Sequence, residues 1–157
     1  MFNFPKIWET MFIGSFTYSI DAKGRLSIPA KLRKYVKPEA GDVFVMTRGT
    51  AQCIELYPYD NWKDLVQGKL EKLNTFNAEN AKFLRMFLQY ASEDKLDAQS
   101  RLLIPQNLIE YAGIKKDVFV LGAINTIELW DPAKYQEYLD GQDESFSDIA
   151  QKVMNLE

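Results

Sequence analysis

IDAKGRLSIP, residues 20–29, returns as LDAQSRLLIP at residues 96–105, with Asp, Ala, Arg, Leu, Ile and Pro coinciding 76 positions apart. Two further matches follow in the same order. Asp42-Val43-Phe44-Val45 recurs as Asp117-Val118-Phe119-Val120, and Ile54-Glu55-Leu56 recurs as Ile127-Glu128-Leu129. Collinear matches whose offset drifts only at loop positions are what an internal duplication leaves behind. One copy spans residues 11–60 and the other 88–133, with linking helices at 61–87, a ten-residue extension (1–10) ahead, and a helix with an acidic tail at 134–157.

Each copy reads as the same succession of elements. A strand (Phe12–Ile20 or Leu88–Leu96) enters a turn whose Asp, Gly or Ser residues accept unusual backbone angles or bond nearby amides. A second strand, Leu26–Ile28 or Leu102–Ile104, leads to Pro29 or Pro105, each expected at a first helical position, where its missing N–H costs nothing. The helical turns that follow carry Leu32 and Tyr35, or Leu108 and Tyr111, and stop at Gly41 or Gly113. Two more strands close the unit: Asp42–Thr47 with Cys53–Tyr57, and Asp117–Gly122 with Thr126–Trp130. Between the copies, Trp62, Leu65, Val66, Leu70 and Leu73 predict one helix capped by Asp60. Asn77 predicts the cap of another bearing Phe83, Leu84, Phe87 and Leu88. Asp131-Pro132 predicts a third, and the acids beyond it a short helix or a tail.

A unit of some 45 residues buries too little apolar surface to stand alone. The expected fold is therefore α+β and β-rich: two βαββ-type repeats interleaved into one pseudo-two-fold β-barrel body, with flanking and linking helices.

Composition removes whole classes of chemistry. The chain has no histidine and a single cysteine, Cys53, so His-based triads, imidazole metal sites and Cys-rich zinc sites are excluded, as is an intrachain disulfide. No phosphate-cradling glycine loop or activated nucleophile is present. No catalytic residue, metal, cofactor or small-molecule substrate is expected. Glu55 and Glu128 hold matching positions, but strand alternation explains them as outward residues between inward Ile and Leu. The longest apolar run, Val118–Ile124, is far too short for a membrane span, and residues 1–16 lack the pattern of a signal peptide; a cytoplasmic protein is expected.

The motif D-x-x-G-R-L-x-I-P-x-x-L-R, here Asp21, Gly24, Arg25, Leu26, Ile28, Pro29, Leu32 and Arg33, followed by Gly41-Asp42, resembles the swapped-hairpin DNA-binding domain of AbrB-type regulators. Two copies in one chain, with Met11-Phe12-Ile13-Gly14 before the first and Tyr90-Ala91-Ser92-Glu93 before the second, resemble the MraZ family. That resemblance implies a bacterial transcriptional regulator of the division and cell-wall gene cluster. It implies a ring-shaped homo-oligomer, associated with the nucleoid, that binds short direct repeats in its own promoter. Residues 1–10 precede the usual start of the family, and Gln99-Ser100 stand where the first copy has Lys23-Gly24.

The formal net charge of −3 argues against a nucleic-acid partner until its distribution is examined. Asp21–Pro38 holds six bases and one acid, whereas Asp97–Asp117 holds three of each and residues 137–157 hold six acids and one lysine. Phosphate responds to the local field rather than to the chain total. Arg25 is the leading candidate for base or phosphate contact with double-stranded DNA, with Lys23 beside it in the turn. Lys31, Arg33 and Lys34 suit backbone positioning, and Arg101 is the second-copy counterpart of Arg25. Asp21, Gly24 and Asp97 are read as turn-forming or orienting residues. The competing reading is an oligomeric assembly module, or an AbrB-like antitoxin acting through a protein partner rather than DNA.

Overall fold

The two signatures meet. In a computed structural model, which describes residues 11–141 and 143–155, β1 (Ser15–Ser19) leads through the first turn into β2 (Arg25–Ser27). The first copy continues with α1 (Ala30–Arg33), β3 (Val43–Arg48) and β4 (Ile54–Pro58). Linking helices α2 (Tyr59–Gly68) and α3 (Ala78–Leu88) follow. The second copy supplies β5 (Ser92–Lys95), β6 (Arg101–Leu103), α4 (Gln106–Ala112), β7 (Asp117–Ala123) and β8 (Thr126–Trp130). Helices α5 (Pro132–Asp140) and α6 (Phe146–Met154) complete it. The expected N-terminal extension, 1–10, and the last two residues of the tail lie outside the described residues.

Strand β2 pairs antiparallel with β6, Leu26 facing Leu102, which is its own counterpart in the repeat. Three-residue strands have too few ladder bonds to persist singly, so each copy stabilises the other. The remaining strands form one antiparallel sheet in the order β1-β7-β8-β4-β3-β5. Exchanging the two copies turns that order into its own reverse. The first strand of each copy thus lies on the third strand of the other, and β4 meets β8 at the centre with Glu55 facing Glu128. Leu26/Leu102 and Glu55/Glu128 both mark the pseudo-two-fold axis.

The expected barrel is not formed: the six-stranded sheet is not closed. Its edges, β1 and β5, stay apart because the β2–β6 ribbon, three residues a strand, forms a separate two-stranded sheet and joins neither in a ladder. The core fills the space between sheet and ribbon. Leu26, Leu32, Phe44, Met46, Ile54 and Leu56 from the first copy pack with Leu102, Leu108, Val118, Val120 and Ile127 from the second, all fully buried. One core made from both repeats replaces two marginal ones.

Local departures from the sequence reading have identifiable causes. The strand expected from Leu88 starts at Ser92, because the helix capped by Asn77, whose side chain accepts from the Asn80 N–H, runs on through Leu88. The strand expected from Phe12 starts at Ser15, Phe12 itself making a bridge to Ile124. Pro29 and Pro105 precede their helices as cap residues, with ψ of 134° and 141°, rather than occupying the first helical position. Asp60 lies inside the first turn of α2, whose cap is Pro58, and the helix ends at Gly68 ahead of a short 3-10 turn at Leu70–Lys72. Asp131 caps α5 as the sequence predicts, accepting from the Lys134 N–H. The acidic stretch holds helix α6, started by a capping box of Ser145 and Asp148.

Like charges facing each other on the central strands oppose the fold. Each carboxylate is steadied by the aromatic two residues on: the Tyr57 hydroxyl donates to Glu55 (2.7 Å) and the Trp130 indole to Glu128 (3.0 Å). Burial raises the Glu55 pKa, the Glu128 charge adds to the rise, and the Tyr57 hydrogen bond opposes it. A carboxyl raised in the fold contributes stability that is complete below its unfolded value and lost as pH rises through the folded one. Glu128→Gln is therefore expected to stabilise the protein at pH 7 by about 0.5–1 kcal/mol, the gain shrinking toward pH 4 in thermal melts. A loss of stability at pH 7 would contradict the repulsion. Leu102→Ala is expected to lower a single cooperative unfolding transition by roughly 2–5 kcal/mol; two separate transitions in calorimetry would indicate two cores.

Candidate nucleic-acid interface

Each signature builds its turn from the aspartate outward. Asp21 Oδ1 accepts from the backbone N–H groups of Lys23 and Arg25, both at 2.9 Å, and Oδ2 accepts from Arg25 Nε at 2.8 Å. Asp97 repeats the pattern with Gln99, Arg101 and Arg101 Nε at 2.8, 2.9 and 2.9 Å. The aspartates therefore both close the turn and orient the arginine. The Arg25 N–H is the largest cause of an Asp21 pKa held below the ordinary aspartate value, and the Arg101 N–H does the same for Asp97. Since Nε is committed to the carboxylate, the Nη end of each guanidinium is the part left for a ligand.

Gly24 and Ser100 both take positive φ, 87° and 59°. At Gly24 a Cβ would come within 3.1 Å of the Ile104 carbonyl oxygen. The two turns are cross-locked there, the Ile104 N–H donating to Gly24 O (2.8 Å) and the Ile28 N–H to Ser100 O (3.1 Å). The replacement of Lys23-Gly24 by Gln99-Ser100 leaves the hydrogen bonding equivalent and changes the charge.

The ribbon brings the arginines to one place. Asp21 Oδ2 lies 2.8 Å from Arg25 Nε and 4.0 Å from an Arg101 Nη, so one carboxylate stands between both guanidinium groups. Lys23, Lys31 and Lys34 are exposed, Lys34 with its ammonium 5.1 Å from the Tyr35 ring centre. Arg33 differs: it is partly buried and its Nε donates to Ile28 O at 3.0 Å, tying the end of β2 to α1. That contact makes it in part a structural residue.

Sequence reading missed two residues because the swapped topology is invisible in a linear charge count. The Ile20 N–H, at the base of the first turn, donates to Lys116 O at 2.8 Å, so exposed Lys115 and Lys116 of the second copy sit beside the first-copy turn. In the other half, the Leu96 N–H donates to Asp42 O. Exchange of strands thus brings Lys115 and Lys116, together with Asp117 on Ser19, to the basic turn, and Asp42 to the neutral one. The paired Val43–Phe44 and Val118–Phe119 matches were the signal that could have located them, given the swap.

The comparisons with known proteins agree with this architecture. The family described as "MraZ protein, putative antitoxin-like" matches residues 11–86 and again residues 87–156. The chain belongs to the MraZ family. A relative from Natranaerobius thermophilus named "Transcriptional regulator MraZ" is 40% identical over 147 residues, 94% of this chain and 99% of the relative. Proteins of the same name from Christiangramia forsetii (39% over 143 residues, 90% of this chain and 92% of the relative) and Syntrophomonas wolfei (40% over 146 residues, 93% and 99%) are similar to it to the same degree. These MraZ proteins are named as regulators of transcription, not as enzymes. Among the described residues, no helix is long and apolar enough to cross a membrane.

Gly24→Ala tests the cross-locked turn. It should cost about 1–3 kcal/mol of folding stability, measured by chemical denaturation, because both the backbone angle and the Ile104 contact resist a side chain. An unchanged midpoint would show that the turn relaxes freely.

Proposed function

We propose that this MraZ chain is a cytoplasmic, nucleoid-associated transcriptional regulator that reads double-stranded promoter DNA through the first-copy turn of the β2–β6 ribbon. The observation carrying this reading is Arg25, whose side chain Asp21 holds through Nε, in a turn with exposed Lys23, followed in the chain by exposed Lys31 and Lys34 and with the Lys116 carbonyl bound to the Ile20 N–H at its base. A two-stranded ribbon fits the major groove, about 12 Å wide, where an arginine fork can take guanine O6 and N7. The lysines supply phosphate contacts that fix register without reading sequence. Arg101 contributes from the second turn, at lower local positive charge. The bases of the first turn and α1 outweigh Asp21, so the acidic total of the chain does not describe the surface that meets DNA.

The family resemblance extends the proposal to its target: short direct repeats upstream of the chain's own gene, in the division and cell-wall cluster, engaged by several first-copy turns on a ring-shaped homo-oligomer. Linked sites gain avidity when their spacing matches the repeats. In this reading the domain organisation is two repeats, 11–60 and 88–133, serving one DNA-reading body.

Fluorescence anisotropy with the upstream repeats and a scrambled duplex tests it. Arg25→Ala is expected to weaken binding by about 1–3 kcal/mol per site and to reduce the preference for the repeats over the scrambled duplex. Lys31→Ala and Lys34→Ala are expected to weaken both duplexes alike and to reduce the salt slope by about 0.9 each. Equal binding of the two duplexes by the unaltered protein, or full binding without Arg25, Lys23 and Arg33, would overturn the proposal.

A further inference from the structure

Residues 1–10, MFNFPKIWET, lie outside the described residues, but their sequence has a pattern and the fold shows where they join it. Phe2, Phe4, Lys6 and Trp8 fall on alternate positions. Pro5 favours extended backbone at the residue before it, and in an extended chain alternate side chains share one face. The even-numbered face therefore carries three aromatic rings and one cation, and the other face Met1, Asn3, Pro5, Ile7 and Glu9.

The segment joins the described chain at the tip of the β7–β8 hairpin. Phe12 is buried, its N–H donating to Ile124 O at 2.9 Å and its carbonyl accepting from the Ile124 N–H at 2.8 Å. Phe12 and Ile13 cross Gly122 so closely that a Cβ there would stand 2.5 Å from Ile13 N. At the tip Ile124 takes a left-handed backbone, φ 67°, and is 56% exposed. A β-branched residue is strained in that conformation, and here its side chain is left largely in solvent.

A groove of about 500 Å³ opens between this tip and α2. Its helix wall includes Asp64, Leu65 and Gly68, and the Asn61 side chain spans to the hairpin wall by donating to Asn125 O at 2.9 Å. Gly68 has no atom within 4 Å of where a Cβ would stand. The helix wall is acidic. Asp60, one turn before Asp64, falls on the same helix face, and like charges at that spacing repel. Among the described residues neither aspartate has an ion pair, and Asp60 Oδ1 is buried with no hydrogen-bond partner. Lys69, also on the groove, is five positions from Asp64, a spacing that does not pair along a helix. Ten extended residues reach about 33 Å, whereas α2 from Asn61 to Gly68 runs only about 10 Å.

We propose that residues 2–8 lie extended in this groove of their own chain, with Trp8 on Leu65, Lys6 at Asp64 and Phe4 over Gly68. The aromatic rings supply the buried area, Lys6 offsets the repulsion of the two aspartates, and the chain covers Ile124 as it rounds the tip. The segment is then a clasp between the linking helix α2 and the second copy. It does not depend on the DNA reading, because the groove lies at the end of β7 opposite Asp117 and the first-copy turn.

Disulfide formation in the full-length chain reads it out, the native Cys53 being buried. Phe4→Cys with Gly68→Cys should cross-link within one chain at least ten-fold faster than Phe4→Cys with Thr17→Cys, an exposed position on β1 that the same tether reaches. Adding Trp8→Asp or, at low salt, Asp64→Lys should slow the Gly68 reaction several-fold and leave the Thr17 reaction unchanged. Fluorine NMR of the fluorotryptophan-labelled chain gives a second reading without cysteines. The Trp8 resonance, assigned by its loss in Trp8→Phe, should move on Gly68→Glu. Equal rates at Gly68 and Thr17, rates indifferent to both Trp8→Asp and Asp64→Lys, a disulfide that forms only between differently tagged chains, or a Trp8 resonance unmoved by Gly68→Glu would each overturn the proposal.

Discussion

The pairing of β2 with β6 is the interaction on which the rest of the molecule depends. Leu26 on Leu102 closes the core from above, and the same few ladder bonds hold the two Asp-x-x-x-Arg turns side by side. Neither strand is long enough to exist without its copy. The ribbon is therefore at once the lid of the hydrophobic core and the platform of the arginines. A change in one is transmitted to the other through the Gly24–Ile104 and Ser100–Ile28 hydrogen bonds.

Symmetry of backbone and asymmetry of charge coexist in this arrangement. Both turns use the same hydrogen bonds from aspartate, and both place arginine Nε on it. The surroundings diverge. The first turn has Lys23 within it and Lys116 and Asp117 against its base; the second has Gln99 within it and Asp42 against its base. Duplication within one chain permits that divergence, whereas a homodimer of a single-copy unit would carry identical turns. The geometry needed to present an arginine is thus kept twice, and the field that attracts a phosphate is concentrated once.

Much of the fold was legible in the sequence because it rests on local rules. The repeat, the aspartate turns, the Asn77 and Asp131 caps, the inward Leu and Ile of each strand and the sharing of one core all follow from spacing and residue chemistry. What was not legible depends on partners distant in the chain. That the sheet stays open turns on the short ribbon failing to join the edges β1 and β5, which no local pattern encodes. The structural role of Arg33 required knowing that the Ile28 carbonyl faces it, and Lys115 and Lys116 could be placed only after the strands were seen to exchange. The late start of β5 reflects a competition in which the helix signal of Phe83, Leu84, Phe87 and Leu88 prevailed over the strand signal that overlaps it.

The pseudo-two-fold axis has a bearing on dilution. In a domain assembled from two separate chains, such a ribbon dissolves when the chains part, so its population falls with the square of concentration. Here the second half is tethered to the first by residues 61–87, and its effective concentration is set by that tether rather than by how many molecules are present. The ribbon is consequently intact in a single molecule, whatever the protein concentration.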